Sequence, residues 1–300
     1  MRRSAGLVTA CIPTFKSTRY LRASVVSLLN QTHPYLRVIV INDGDPSSPW
    51  PSLADIVDPR LIRFDLFENR GPYFALAVAL EATPDSFFLV QDADDWSAPH
   101  RLATLLQLLH RNKSHYAFST LAQFRDSGDG GVIPERPLFP EGPDISEKAE
   151  YKYRIPHLGL FQTGALRQLG GYYAGFRFGY DTLLTNLLLL AGVVAWTPDY
   201  LYWRRVRPTS LSNAPSTGMM SPARRNVHAE MSELYRCVYR DYQEFICRRI
   251  SGPVFLSLLR ARVSARRSPA DGEAIRNSAA QLRRALAEQD HFFRQRLAWL

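Results

Sequence analysis

Cysteine is scarce in this chain of 300 residues, and the three present, Cys11, Cys237 and Cys247, form neither a CxxC pair nor a Cys/His ligand spacing. A disulfide framework and a zinc-finger-type centre are thereby excluded, and a reducing compartment is the simpler expectation. Long apolar runs are missing too: the best window, Leu183 to Trp196, is too short to cross a bilayer and holds Thr185 and Asn186. The start, Met1-Arg2-Arg3-Ser4-Ala5-Gly6, is basic, but the apolar stretch after it breaks at Pro13 and Lys16 and does not read as a secretory signal. These absences together predict a cytoplasmic protein. No internal repeat is visible, and no Gly-rich phosphate loop with Lys or Arg follows the first apolar run.

Acidic residues are also in short supply, 28 against 37 Lys and Arg, which leaves a formal net charge of +9. The surplus lies mainly in the second half, at Arg204 to Arg207, Arg224-Arg225, Arg248-Arg249, Arg260 to Arg267 and Arg283-Arg284. Such a balance fits nucleic acid, an anionic membrane surface or a phosphorylated substrate. The basic segments lack the interleaved aromatics of a ribonucleoprotein signature, so no nucleic-acid partner is expected.

What the chain does have, 46% hydrophobic and 22% charged residues, describes a globular protein with one sizeable core plus an appendage. Leu7 to Ile12, Leu36 to Ile41, Leu61 to Phe67 and Phe87 to Gln91 read as strands. Tyr20 to Asn30, Tyr73 to Ala82 and Pro99 to Arg111 read as the helices between them. Strands alternating with helices imply right-handed crossovers and a mostly parallel sheet covered on both faces. From Arg125 to Tyr153 the pattern weakens into an active-site flap or an exposed loop. Val193 to Trp196 and Leu201 to Trp203 follow as separate short apolar pieces, and 213 to 222 reads as a linker. Helices are then expected from Ala223 to Ile250, Val254 to Arg266 and Gly272 to Trp299. Leu234, Val238, Tyr242, Phe245 and Ile246 share a helical face, as do Leu282, Leu286 and Phe293. Such faces suit packing on the rest of the chain, a homodimer through the C-terminal helices, or peripheral contact of the basic tail with the inner face of a membrane.

The densest chemistry follows the fourth strand, where Phe87-Phe88-Leu89-Val90-Gln91 empties into Asp92-Ala93-Asp94-Asp95. Neighbouring carboxylates raise each other's proton affinity, and a hard divalent cation with oxygen ligands, Mn2+ or Mg2+, would offset the repulsion. The plain alternative is an Asp-rich turn in which Asp95 or Ser97 caps the next helix. In open α/β sheets ligands bind beyond the carboxyl ends of the strands, and here those ends carry Thr14, Asn42-Asp43, Asn69-Arg70 and Asp92 to Asp95.

Several blocks, in order, carry a resemblance. They are Ile12-Pro13-Thr14-Phe15-Lys16, Ser27-Leu28-Leu29-Asn30-Gln31-Thr32, Val38-Ile39-Val40-Ile41-Asn42-Asp43-Gly44, Asn69-Arg70-Gly71, Gln91-Asp92-Ala93-Asp94-Asp95 and Gly179-Tyr180-Asp181, with Tyr202-Trp203-Arg204-Arg205 to Ser210-Leu211-Ser212 closing the set. Residues 7 to about 212 thus resemble the GT-A glycosyltransferases of family 2, inverting enzymes with nucleotide-sugar donors. The resemblance implies an α/β fold of the GT-A nucleotide-diphosphosugar transferase type, with a catalytic domain over residues 1–215 and a basic helical extension over 216–300. It implies hexosyl transfer from a nucleotide-diphosphate sugar, UDP-sugar first, to the hydroxyl of a saccharide, lipid-linked or small-molecule acceptor. Pro13, Thr14 and Phe15 would lie under the base, Asp43 with Asn42 would read its edge, and Arg70 would approach the phosphates. Asp92 would meet the ribose and, with Asp94, the metal, in the DXD motif that also contains Ala93. Asp181 would be the general base, and Arg204, Arg205 and Arg207 would clamp the diphosphate, with Ser210 and Ser212 near the metal.

The chain departs from the family pattern where Asn42 replaces a commoner Asp, Asp45 a Ser, and Tyr180 the carboxylate before Asp181. The aromatics Tyr172, Tyr173, Phe176, Phe178 and Tyr180 suit packing better than sugar stacking. Two other classes stay open: a sugar-phosphate nucleotidyltransferase, which the missing phosphate loop disfavours, and a noncatalytic basic binding module, which charge alone supports.

Overall fold

The computed structural model describes residues 6–127, 129–143, 148–173 and 175–297; Met1 to Ala5 and the expected helix end at Trp299 lie outside the described residues. Four strands, β1 (Val8–Thr14), β2 (Leu36–Asn42), β3 (Leu61–Asp65) and β4 (Phe87–Val90), pair in parallel with β1 between β2 and β4. Their crossovers are α1 (Thr18–Leu29), α2 (Pro72–Ala82) and, after β4, α3 (Arg101–Asn112).

Period-two alternation decides which face each side chain serves. Val8, Ala10 and Ile12 of β1 and Val38 and Val40 of β2 pack with Leu21, Val25, Leu102 and Leu105 of α1 and α3. Cys11, Ile39, Ile41, Phe88 and Val90 turn the other way, toward α2. Both faces are thus covered, as the continuous apolar strands require.

Beyond β4 the sheet becomes mixed. There follow β8 (Leu160–Gln162), antiparallel to β4, then β6 (Tyr116–Asp126), then β9 (Val194–Arg205), parallel to β6, and the short β5 (Trp96–Ser97) against β9. The two apolar pieces around 193–203 are therefore one strand, interrupted by register shifts opposite Thr120. The segment expected as a flap or loop begins with a hairpin instead, because β7 (Val132–Leu138) pairs antiparallel with β6. Its Pro134 and Pro137 donate no ladder hydrogen bond and most of it is exposed, so alternation is lost and only an edge position is open to it.

Two more helices, α4 (Thr163–Gln168) and α5 (Tyr180–Ala191), complete the first two thirds, and α6 (Pro222–Ile246), α7 (Gly252–Ser264) and α8 (Pro269–Leu297) the remainder. Met231, Tyr235, Val238, Phe255, Leu259, Val263, Leu282 and Leu286 of these last helices are buried in the same core as α2 and α5. Leu234, Tyr242 and Phe245 pack partly against that core, while Ile246 stays exposed. The packing of the tail also explains α2, apolar all round with nine of its 11 residues buried, since the sheet covers one side and α8 the other. A buried ion pair, Arg37 with Asp85 at 2.9 Å, adds Asp290 of α8 to the same guanidinium. Among the described residues no helix is long and apolar enough to cross a membrane.

Candidate active site

A cavity of about 1200 Å3 opens at the carboxyl ends of β1, β2 and β4, and α5, β9 and α6 close it from the other side. Pro13, Thr14, Phe15, Asp43, Asp92, Ala93, Asp94, Asp181, Arg204 and Arg205 all line it. Two expected residues do not. The Asn42 side chain is buried and holds the turn after β2, donating to Asp65 at 2.8 Å and accepting from the Asp45 N–H at 2.9 Å. Arg70 turns its guanidinium to Glu68 and to Asp271 of α8 and lies over the Phe74 ring, so its expected approach to the phosphates is replaced by a tie to the last helix.

Asp43 sits at the β1/β2 end of the cavity, and three N–H donors converge on its carboxylate: Arg70 at 2.9 Å, Gly71 at 2.8 Å and the Asn69 amide at 2.9 Å. Burial nevertheless pushes its pKa up to about 6, because those bonds and the nearby Arg177 recover only part of the lost hydration. Gly44 has φ +68, and a Cβ there would lie 2.3 Å from the Glu68 backbone, so only glycine lets the β2 and β3 loops meet beneath Asp43.

The carboxylates after β4 divide by environment. Asp95 is buried and accepts from the Tyr202 hydroxyl at 2.8 Å and the Arg205 N–H at 2.7 Å; burial first, then Asp94 and Asp92, drive its pKa well up. It does not cap the next helix, because α3 starts at Arg101 behind His100 with no side-chain cap. Beneath it the buried Arg101 bonds Gln91, Ser97 and two main-chain carbonyls and stacks on Tyr202, so a cation underlies the acidic turn. Asp92 is raised by burial and by Asp94, against His157 and Arg204. Asp94 is held by Arg207 at 2.5 Å, while Arg205 reaches the Asp94 carbonyl at 3.1 Å and pairs with Asp126.

Asp181 faces this cluster from the first turn of α5. Its helix is capped by Gly179 at φ +79, so Asp181 lies within the first turn rather than at the N-cap. The Tyr73 hydroxyl donates to one oxygen at 2.8 Å, and His157 Nδ1 stands 3.7 Å from the other, an ion-pair distance rather than a hydrogen bond. Burial works to raise its pKa, but His157, Tyr73 and Arg224 outweigh it and bring the carboxyl down to about 2. Burial likewise opposes charge on His157, yet Asp181 and Asp92 hold its pKa above the ordinary value. Tyr180, in the position of the family's extra carboxylate, points into the core and donates to the Gly171 carbonyl at 3.1 Å. Tyr172, Tyr173 and Phe176 are buried as packing, while Phe178 lines the cavity under Arg224.

His157, Tyr73 and Arg224 were not singled out by sequence. His157 precedes a three-residue strand with no spacing to mark it, Tyr73 hides in an Ala-rich helix, and Arg224 reads as one more arginine of a basic tail.

Asp92 and Asp94 share the cavity, Asp94 helps raise the proton affinity of Asp92, and no described residue offers the Asp92 carboxylate a hydrogen bond or ion pair. Among the described residues no three His, Cys, Asp or Glu side chains gather into a cage. Such a donor set fits a hard Mg2+ or Mn2+ ion that takes its remaining ligands from phosphate and water.

The family model "Glycosyl transferase family 2" matches residues 9–170, more than half of the chain. The chain belongs to glycosyltransferase family 2. A relative, an uncharacterized glycosyltransferase of Haemophilus influenzae (strain ATCC 51907 / DSM 11121 / KW20 / Rd), is 26% identical over 129 residues, 42% of this chain and 40% of its own length. The UDP-Glc:alpha-D-GlcNAc-diphosphoundecaprenol beta-1,3-glucosyltransferase WfaP of Escherichia coli is 23% identical over 147 residues, 49% of this chain and 56% of that protein. The chain therefore matches only about half, or less, of these relatives' lengths. S. aureus TarS 1-349, solved in complex with UDP-GlcNAc, superposes with a TM-score of 0.58 at 16% identity over 79% of this chain and 72% of TarS. The fold of this family 2 chain is accordingly of the GT-A type, a curled mixed sheet with helices on both faces.

Proposed function

We propose that the protein is an inverting glycosyltransferase that moves a hexosyl group from a nucleotide-diphosphate sugar, UDP-sugar first, to an acceptor hydroxyl. One observation carries this reading: Asp43, Asp92, Asp94 and Asp181 come from three separate segments of a family 2 chain and line one cavity. The TarS complexes with UDP and UDP-GlcNAc support a uridine donor.

In this reading residues 1–215 form the catalytic unit and 216–300 the extension that walls it. Pro13, Thr14 and Phe15 carry the base, and Asp43 accepts from its imide N–H. Asp92 and Ala93 meet the ribose and the donor, and Arg204 and Arg205 hold the diphosphate. Asp94, with Asp92, would hold Mn2+ or Mg2+, which when bound offsets the negative charge growing on the leaving diphosphate. Asp181 accepts the proton of the acceptor hydroxyl as its oxygen bonds to the anomeric carbon. The bond from that carbon to the diphosphate oxygen breaks on the opposite face, and its electron pair leaves with the nucleotide. His157, with Tyr73 and Arg224, keeps Asp181 ionised against the effect of its burial.

Incubation with UDP-sugars and Mn2+ tests the reading. UDP release by the wild type, lost in Asp94→Ala and Asp181→Asn, is expected. Release of diphosphate from UTP and a sugar phosphate would instead assign a nucleotidyltransferase.

A further inference from the structure

Seven Lys and Arg side chains and five aspartates line the cavity. A nucleoside-diphosphate sugar brings about two negative charges and one divalent cation cancels them, so donor and metal together leave the positive surplus in place. The charges of Arg205 and Arg207 are already balanced by Asp126 and Asp94. Four others, Arg177, Arg204, Arg224 and Arg225, have no carboxylate partner among the described residues and bond only neutral groups. Arg204 lies 2.7 Å from the Gln123 amide and acts on Asp92, while Arg177 bonds Asn69 and acts on Asp43, so both belong to the donor half.

Arg224 and Arg225 stand on the α6 wall, on the side of Asp181. Arg224 donates from Nε to the Thr217 carbonyl at 2.9 Å and from Nη2 to Leu211 at 2.8 Å, and it rests on the Phe178 ring. These contacts fix the guanidinium and leave Nη1, beside Gly179 at the start of the Asp181 helix, without an acceptor among the described residues. Arg225 is exposed and makes one bond, to the Met220 carbonyl at 2.8 Å. A guanidinium fixed by neutral acceptors beside a general base is suited to a second anion.

Resting on the glycosyl-transfer reading of the cavity, we propose that Arg224 and Arg225 bind a phosphate or diphosphate group carried by the acceptor, next to the hydroxyl that Asp181 deprotonates. Leu211, Met219 and Met220 are exposed on the adjoining loop, an apolar rim beside the anion site. A lipid-linked sugar diphosphate and a free sugar phosphate offer the same anion.

The test is calorimetric and sequential. UDP with Mn2+ is titrated first, then inorganic pyrophosphate into the UDP-saturated protein. The wild type is expected to bind both. Arg225→Glu, which disturbs a single exposed contact, should weaken pyrophosphate at least tenfold and leave UDP within twofold; Arg224→Gln should do the same. UDP binding without pyrophosphate binding, or pyrophosphate binding unchanged in both variants, overturns the proposal. Failure to bind UDP overturns the reading of the cavity and the proposal with it. A sugar diphosphate on a short soluble chain and one on a long isoprenoid chain then separate the sources. Equal binding supports a free phosphate ligand, tenfold tighter binding of the long chain supports a lipid-borne one, and equal binding of the dephosphorylated sugar contradicts both.

Discussion

A carboxyl group as enclosed as Asp181 would normally gain a proton, since burial alone favours the neutral acid; the imidazole of His157, the Tyr73 hydroxyl and the Arg224 guanidinium reverse that balance. The depressed value makes Asp181 ionised at any working pH, and the stability it contributes is present above about pH 4 and fades as pH falls through about 2. Replacing His157 by Asn removes the largest opposing influence. The acid limb of kcat/KM should then move upward by about one to two pH units, which a merely structural loss would not do. Asp181→Asn should lower kcat by about 10²–10⁴ while leaving UDP binding intact. Asp43 behaves in the opposite sense. With its folded pKa raised to about 6, its contribution to stability is present below the unfolded value and lost as pH rises through 6, whereas the proposed contact with the donor's imide N–H uses the ionised form. UDP affinity should therefore fall roughly tenfold per unit as pH drops below about 6, and Asp43→Asn should flatten that dependence in titration calorimetry.

At the scale of elements, the acidic turn after β4 depends on β9 and α3. Tyr202 and the Arg205 N–H of β9 hold Asp95, and Arg101 of α3 holds Gln91 and Ser97 around it. Arg101→Met strips four acceptors of a buried donor and should cost about 3 kcal/mol by denaturant unfolding, with donor binding weakened as Asp92 and Asp94 lose their backing. None of this was legible in the sequence, where Asp95 reads as a helix cap, because the partners lie four to 110 positions apart and the Asp95 partners more than 100. The strands β1 to β4 were legible: the apolar runs of β1, β2 and β4 are buried on both faces, and all four are bounded by Gly, Pro or Asn. β7 was not, because an exposed edge strand with two prolines carries no alternation. β9 was read as two pieces because its register shifts opposite Thr120 break the pattern in the middle. Asn42 and Arg70 were assigned by motif position, yet loop closure on Asp65 and α8 decides where their side chains point.

For the whole molecule, the C-terminal helices are part of the core. α8 covers the outer side of α2, accepts Arg37 at the Leu286 carbonyl and Asp290, and places Phe293 4.7 Å from that guanidinium. Asp85→Asn leaves Arg37 without its fully buried partner and should destabilise by about 3–5 kcal/mol, read as a lowered Tm. Truncation before α8 should expose α2 and yield an aggregating chain, in contrast to a tail that merely tethers. The basic tail therefore does two jobs that composition could not separate: its apolar faces help complete the fold, and Arg224 and Arg225 reach the cavity while Arg262, Arg267 and Arg283 tie the helices to one another and to the sheet domain. The central claim is that this cavity is a metal-assisted nucleotide-sugar site. Thermal-shift measurement of the wild type and Asp94→Asn with UDP, with and without Mn2+, tests it most directly. A UDP shift that grows with Mn2+ in the wild type and loses that increment in Asp94→Asn is predicted. No stabilisation by UDP or any other nucleoside diphosphate, with or without the metal, would contradict it.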